Sequence, residues 1–593
     1  MSRVLHRLGG RRMVALAAVI VFAAIGASAA AGANGNGKGA GNDRLSRLDH
    51  IVVIYEENHS FDNLYGGWEG VNGLANADPR HTTQVDQNGV PFTCLLQNDV
   101  NLVGLPATCN DTAHGFSSAF SNTWWTIDSL LPPTATTCPT VSKAFAFPFG
   151  VPEGQGLPGG CTRDLVHKFY QEQFQLDGGR QDRYATGSDA AGMTMGVYDT
   201  RALPIYRYLH SGGHPHYAIA DNFFQSAFGG SFLNHQWLIA ATTPVFPNAV
   251  SDGTSADRHS VVDRNGMVQT RSLNATWGLA TYPLYVSPDA SSIRDRELTV
   301  KCGSTALPLA CGDYAVNTSQ PPYRPFGAFG AKLPAQTNPT IGDRLSAGGI
   351  DWAWYAGGWS NANGDVDAPG WTNGNGPTCA DPEVDPSAGI AVFPHCPSNV
   401  FQYHHQPFNY FKAFDPDTPE GLANRRAHLR DEQEFIQTAQ ASGKDCALKP
   451  VSFIKPFGLE NEHPGYSSET GSDNHLVSLL QTIENSACAK NTMVIVTYDE
   501  FGGEWDHVPP PGTPQNPAAP GRSDIWGPGT RIPTLVVSPF LRGNEVVDHT
   551  QYDTTSILAT IEQRYGLRPL STRDASVNSL ADVFDAKQYE SAK

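Results

Sequence analysis

Two short apolar runs in this 593-residue chain end in clusters of acids and amides. Ile51–Tyr55 (IVVIY) leads into Glu56-Glu57-Asn58-His59-Ser60-Phe61-Asp62. Met493–Tyr498 (MVIVTY) leads into Asp499-Glu500-Phe501-Gly502-Gly503-Glu504-Trp505-Asp506-His507. Carboxylates and an amide oxygen are hard ligands, suited to a divalent cation such as Ca²⁺, Mg²⁺ or Mn²⁺, with Zn²⁺ also open to them. Between the two runs lies Gly229-Gly230-Ser231-Phe232-Leu233-Asn234-His235, where small residues lead to a hydroxyl. A serine hydroxyl is a weak nucleophile until a base or a metal lowers its pKa. A metal touching both the serine oxygen and a substrate oxygen does both jobs.

Several histidines stand in loop-like segments. His167 closes Asp164-Leu165-Val166-His167, His404-His405 precede Gln406-Pro407-Phe408, and His463 lies in Glu460-Asn461-Glu462-His463-Pro464. Loop histidines can donate hydrogen bonds to a phosphoryl group and protonate a leaving alcohol. Blander readings stand beside these. Ser60-Phe61-Asp62 also reads as a helix N-cap with a first-turn acid. Ser231 taken alone is a turn serine. His507 reads as a group orienting Asp499, His214-Pro215-His216 as a plain loop, and Glu56, His59 and Asp62 as structural or supporting groups.

Residues of this kind need a rigid frame to converge. Short apolar runs read as buried strands at Ile51–Tyr55, Tyr217–Ala220, Trp237–Ala241, Trp352–Tyr355, Val451–Ile454, Met493–Tyr498 and Thr534–Val537. Helical spacing appears at His475–Ser486 and Thr554–Tyr565. Continuous β-branched strands alternating with helices predict an α/β fold: a mostly parallel central sheet covered on both faces. Ligands bind outside the carboxyl ends of such strands, which is where the acids and Ser231 fall. Stretches near 72–160, 244–339 and 357–397 are rich in Gly, Pro, Asn and Thr and hold seven of the ten cysteines, with Cys161 directly after the first. They read as excursions from a single catalytic domain over 45–593.

The first 30 residues combine Arg3, Arg7, Arg11 and Arg12, an apolar run Met13–Gly26 and small residues Ala27-Ser28-Ala29-Ala30, the pattern of an export signal. Its apolar run is shorter than the ~20 residues that span a bilayer, so no stable membrane span is expected. Arg11-Arg12 also permits a twin-arginine route. Residues 31–44 form a Gly/Asn/Ala-rich tether. Loss of residues 1–30 takes the formal charge from −18 to −22, which repels nucleic acid at long range. Ten cysteines without a C-x-x-C fit disulfides in an oxidising compartment, periplasm or medium. Pairing in sequence order would close short loops such as Cys302–Cys311 and Cys379–Cys396.

The segments Glu57–Asp62, Asp199 with Leu203-Pro204, Ala220-Asp221-Asn222-Phe223-Phe224 and Asp499–Pro511 resemble one bacterial family. It is the secreted phosphoesterases that include acid phosphatases and non-toxic or haemolytic phospholipases C. The similarity runs through nearly all of residues 45–583. The resemblance implies an alkaline-phosphatase-like fold, one divalent metal and a phosphoserine intermediate. It implies that Glu57, Asn58, Asp499 and Glu500 hold the metal with the Ser231 oxygen, and that His167, His404, His405 and His463 surround the phosphoryl group. Glu500 stands where some members carry a second aspartate. Ser231, in place of a threonine, resembles the acid phosphatase branch and implies a phosphomonoester substrate. The alternative is a phospholipase C acting on a lipid headgroup, with Phe145–Val151 and Phe401–Tyr410 supplying an aromatic entrance.

Overall fold

The computed structural model describes residues 41, 43–98, 105–130, 164–247, 260–263, 265–269, 282–288, 293–295, 314–326, 332–371, 401–458, 460–464 and 469–588. The expected export signal, most of the tether, Phe145–Val151 and six of the ten cysteines lie outside these residues. Among the described residues, no helix is long and apolar enough to cross a membrane.

Eight strands form the central sheet. In chain order they are β1 (His50–Glu56), β2 (Tyr217–Ala220), β3 (Trp352–Ala356), β4 (Leu429–Asp431), β5 (Val451–Lys455), β6 (Thr492–Tyr498), β7 (Thr534–Val537) and β8 (Glu545–Asp548). Their spatial order is β4-β3-β5-β1-β6-β7-β2-β8. All seven residues of β1 are buried, as are all of β5 and β6, because the sheet is covered on both faces. That is why these strands read as unbroken apolar runs.

Parallel pairing joins β4 to β3, β3 to β5, β5 to β1, β1 to β6, and β2 to β8. Strand β7 pairs antiparallel with both neighbours, so the sheet is mixed. The two reversals cancel, and β2 again runs with β1 and β6. The carboxyl ends of β5, β1, β6 and β2 therefore open on one edge. The β1–β6 register runs from His50 opposite Thr492 to Glu56 opposite Tyr498, which sets Glu57 and Asp499 side by side.

Helices relevant to the site are α1 (Phe61–Leu64), α2 (Phe169–Leu176), α3 (Ser231–Ala240), α4 (Glu432–Ala441), α5 (Glu469–Glu484) and α6 (Thr555–Tyr565). One expectation fails here. Trp237–Ala241 is not a strand but the last turns of α3, whose ten residues are all buried. A helix buried all round carries no amphipathic period, so its apolar run looks like a strand. Helix α5 starts six residues before the predicted His475, through Ser472 and Asp473, which are polar yet buried. Ser60 does cap α1, its side chain accepting from the Asn63 amide.

Among the described residues, two disulfides, Cys94–Cys109 and Cys446–Cys488, each join cysteines adjacent in sequence order. Helices α4 and α5 are also pinned by His475, whose Nε2 lies 3.1 Å from Glu432 Oε1. Burial alone would lower the His475 pKa, but the hydrogen bond and charge of Glu432, with Glu460 and Glu56 beyond, raise it to about 9. A folded-state pKa above the unfolded value stabilises fully below about pH 6.5 and is lost as pH rises through about 9, a contribution on the order of 2–3 kcal/mol. We expect the urea stability gap between parent and His475→Gln to be widest near pH 6.5 and to narrow by pH 10. A gap independent of pH would refute this assignment.

Candidate functional site

The turn after β1 is tightly held. The Glu57 amide donates to Asn461 O at 2.9 Å and the Asn58 amide to Asp499 Oδ1 at 3.0 Å. Asn58 adopts a left-handed backbone, φ 61°, which asparagine tolerates better than most residues. Its side-chain amide donates to His463 Nε2 at 3.0 Å, while His463 Nδ1 donates to Pro464 O at 2.7 Å. That pattern leaves Asn58 Oδ1 facing Ser231.

Ser231 opens helix α3. Gly229 is left-handed, φ 86°, and a Cβ there would meet the Phe169 backbone nitrogen at 2.6 Å. A Cβ on Gly230 would come within 2.9 Å of the His167 ring. The two glycines are thus required by the approach of helix α2 and His167. From α2, Glu172 accepts from the Gly229 amide at 2.6 Å and from the Thr530 amide and hydroxyl at 2.8 Å each. Burial raises the Glu172 pKa to about 7.

So held, Ser231 Oγ lies 3.0 Å from Glu57 Oε2 and 3.4 Å from Asn58 Oδ1. Glu57, Asp499 and Glu500 have no solvent exposure. Burial would raise the Glu57 carboxyl, yet His405 and Lys455 together hold it well below its ordinary value. His405 is itself lowered by burial, so the Lys455 ammonium, 2.6 Å from Glu57 Oε1, is the cation that carries this balance. Asp499 is raised well above its ordinary value by burial and then by the Glu57 charge. Glu500 is raised likewise by burial and by Asp499. Among the described residues, Asp499 Oδ2 and Glu500 Oε1 accept no hydrogen bond. Buried carboxylates are normally paired or bound to a metal, and this donor set fits a divalent cation.

The four predicted histidines all reach this edge. His167 Nε2 lies 3.4 Å from Glu500 Oε1, and its Nδ1 bonds Leu165 O. His405 Nε2 lies 3.2 Å from Glu57 Oε1. The His404 ring centroid is 4.5 Å from that of His405, and the His463 centroid is 6.4 Å from that of His167. Burial lowers His167 to about 4 and His463 to about 3, and pulls His404 well below its ordinary value. His507 does not orient Asp499. Its Nδ1 and backbone amide both bond Asp62, which Arg531 also pairs at 3.0 Å.

Three contributors escaped the sequence reading: Lys455, Glu172 and His235. His235, one turn after Ser231, stacks on His405 with centroids 4.9 Å apart and lies 3.8 Å from Glu57 Oε1. A basic residue directly closing the apolar run VSFI was the available signal for Lys455. Nothing local in sequence marks Glu172, because its partners are 53 or more positions away.

The description Phosphoesterase family fits residues 48–568, most of the chain. The chain belongs to the Phosphoesterase family. Phospholipase C B of Mycobacterium tuberculosis (strain ATCC 25618 / H37Rv) is 36% identical over 162 residues, 24% of this chain and 31% of the relative. Non-specific phospholipase C1 of Arabidopsis thaliana is 28% identical over 150 residues, 22% and 27% of the two chains. Non-hemolytic phospholipase C of Burkholderia pseudomallei (strain K96243) is 29% identical over 179 residues, 27% of this chain and 25% of the relative. These matches span less than a third of each relative. A Vibrio parahaemolyticus protein of the alkaline phosphatase superfamily matches 40% of this chain and 50% of its own at 14% identity, with a TM-score of 0.20, too slight to bear on the fold.

Lys455 offers a direct check on the electrostatics. Breaking a buried ion pair leaves an uncompensated charge and costs about 3–5 kcal/mol. Lys455→Met should therefore lose about that much stability to urea at pH 7 in the presence of chelator. A loss under 1 kcal/mol would show that Glu57 is balanced by something else.

Proposed function

We propose that this chain is an exported, metal-dependent phosphoester hydrolase in which Ser231 attacks phosphorus. The observation that carries the reading is Ser231 Oγ at 3.0 Å from Glu57 Oε2 and 3.4 Å from Asn58 Oδ1, on the carboxyl edge of the sheet. Of the two substrate classes left open by the residues, the phosphodiester of a lipid headgroup is favoured, because relatives from bacteria and a plant are named phospholipases C. The phosphomonoester reading that Ser231 prompted becomes the second choice. An alkaline-phosphatase-like arrangement of the sheet is part of the same proposal.

Glu57, Asn58, Asp499 and Glu500, with the Ser231 oxygen, would hold a divalent cation, which when bound would supply Lewis-acid polarisation of a phosphoryl oxygen and a lowered pKa for the Ser231 hydroxyl. Ser231 gives up its hydroxyl proton to solvent and Oγ forms a bond to phosphorus as the bond to the leaving alcohol breaks, giving a serine phosphodiester from a diester substrate and a phosphoserine from a monoester. The departing oxygen takes a proton from a histidine. His167 and His404 are the partly exposed candidates, His405 and His463 being buried; burial keeps both candidates neutral near pH 7, so the donor must take up a proton when the anionic phosphoryl group binds, and turnover should rise on the acid side of neutral. His463 instead orients the Asn58 amide, and His405 borders Glu57. Water then cleaves the serine phosphoester, releasing the phosphate-bearing product and restoring the hydroxyl.

The test is an assay of the full chain on p-nitrophenyl phosphorylcholine and p-nitrophenyl phosphate in parallel, with and without chelator. Faster, chelator-sensitive turnover of the diester is expected. Ser231→Ala should reduce it by about 10³-fold or more, in line with loss of a nucleophile. Preference for the monoester would restore the acid phosphatase reading. Phosphate binding with no turnover of either substrate would make the chain a binding protein.

A further inference from the structure

The turn after β1 faces two ways. Glu57 and Asn58 point to Ser231, while Glu56 and His59 enter a second buried cluster with Glu462, Glu469, Asp473 and Glu504. Five carboxyls meet there, and His59 is the one base among the described residues that touches Glu469 and Glu504.

The His59 ring fixes the argument. Its Nδ1 faces Asn63 Oδ1 at 2.7 Å and Glu504 Oε2 at 3.2 Å. Asn63 Nδ2 donates to Gly196 O, so the oxygen is the atom that faces His59. Nδ1 therefore carries a proton. Nε2 in turn lies 2.9 Å from Glu462 O and 3.2 Å from Glu469 Oε2, so either a second proton or a cation must sit between it and these acceptors; burial would lower the ring's pKa, but Glu504 and Glu469 hold it well above the ordinary value. One ligand atom from each of His59, Glu462 and Glu469 lies within 4.8 Å of the others. Glu462 and Glu469 are only 2% and 5% exposed, and Oε1 of each accepts no hydrogen bond among the described residues. Unpartnered carboxylate oxygens in a dry cluster call for an explanation.

We propose that His59, Glu462 and Glu469 form a second divalent-cation site that takes Zn²⁺ or Mn²⁺. Ligands at about 2.1 Å from such an ion sit roughly 3–4 Å apart, and the Nε2–Oε2 separation of 3.2 Å falls in that range. An imidazole with carboxylates suits these metals better than Ca²⁺, which takes oxygen ligands. Glu504 and Asn63, bonding Nδ1, hold the ring in the tautomer a metal needs. The ion would tie the Asn58 turn to the segment bearing His463, and so support the Ser231 site without touching substrate.

The experiment counts ions. Full chain stripped with chelator is dialysed against Zn²⁺, or separately Mn²⁺, and bound metal is measured by mass spectrometry. Two ions per chain are expected. Asp499→Asn should lose one and Glu469→Gln the other, with circular dichroism confirming the fold of each. Zinc anomalous scattering from crystals of the parent should show a peak beside His59 Nε2, whatever the variants do. One ion per chain, lost in Asp499→Asn but kept in Glu469→Gln, overturns the proposal and leaves His59 as an imidazolium among protonated acids. One ion lost in Glu469→Gln but kept in Asp499→Asn supports it and removes the metal from the Ser231 reading.

Discussion

Three carboxylates without solvent contact meet at the ends of two adjacent strands, and the rest of the site answers that fact. Glu57, Asp499 and Glu500 cannot all carry charge in a dry environment unless a cation is present. One cation is covalently part of the chain. Lys455 closes β5, which lies beside β1 on the side away from β6, so its ammonium reaches Glu57 while β6 brings Asp499 from the other side. The strand order β5-β1-β6 is thus an electrostatic arrangement as well as a topological one. A single lysine leaves two acids uncompensated, which is the demand a divalent ion meets.

The motifs around these acids divide between chemistry and support. In the segment from Glu57 to Asp62, the first two residues face Ser231. The later ones build the frame: Ser60 caps α1 and bonds Trp505 O, and Asp62 takes the Asp506 neighbour His507 and Arg531. The segment from Asp499 to His507 divides in the same way, with Asp499 and Glu500 at the site and Asp506 paired to Arg531 at 3.2 Å. The two segments, more than 400 positions apart, interlock at both ends. Their residue types are therefore fixed by each other as much as by any ligand.

This division explains what the sequence disclosed. Strands β1, β5, β6 and β7 were legible because burial on both faces makes each an unbroken apolar run, and the acids that follow β1 and β6 were legible because they stand directly after such a run. The direction of β7 was not, since a short apolar strand carries no mark of its polarity. Helix α3 was mistaken for a strand for the same reason that it is well suited to hold Ser231: all its residues are buried, so no polar face reveals the turn. Lys455 and Glu172 act through partners far away in the chain, and single-sequence spacing has no access to such pairs.

The two acid clusters share one wall, and that limits how either is balanced. Glu56 and Glu57 are consecutive, so they leave β1 on opposite sides and carry the clusters with them. Lys455 lowers the pKa of both, against burial that raises each. The ammonium contacts Glu57 directly, and both oxygens of Glu56 remain without a hydrogen bond among the described residues. Lys455 and the His475 imidazolium beyond Glu56 cannot between them neutralise three carboxyls on one side and five on the other. The protonation that would relieve the larger cluster also removes ligands, so protons and a cation compete for the same oxygens. A fold that keeps eight acids buried around one turn is built either to hold ions on both sides or to hold them on one and protons on the other. Asn63 and Glu504 hold a proton on His59 Nδ1 in both cases, so the two arrangements differ only in whether a cation or a second proton joins Nε2 to Glu469.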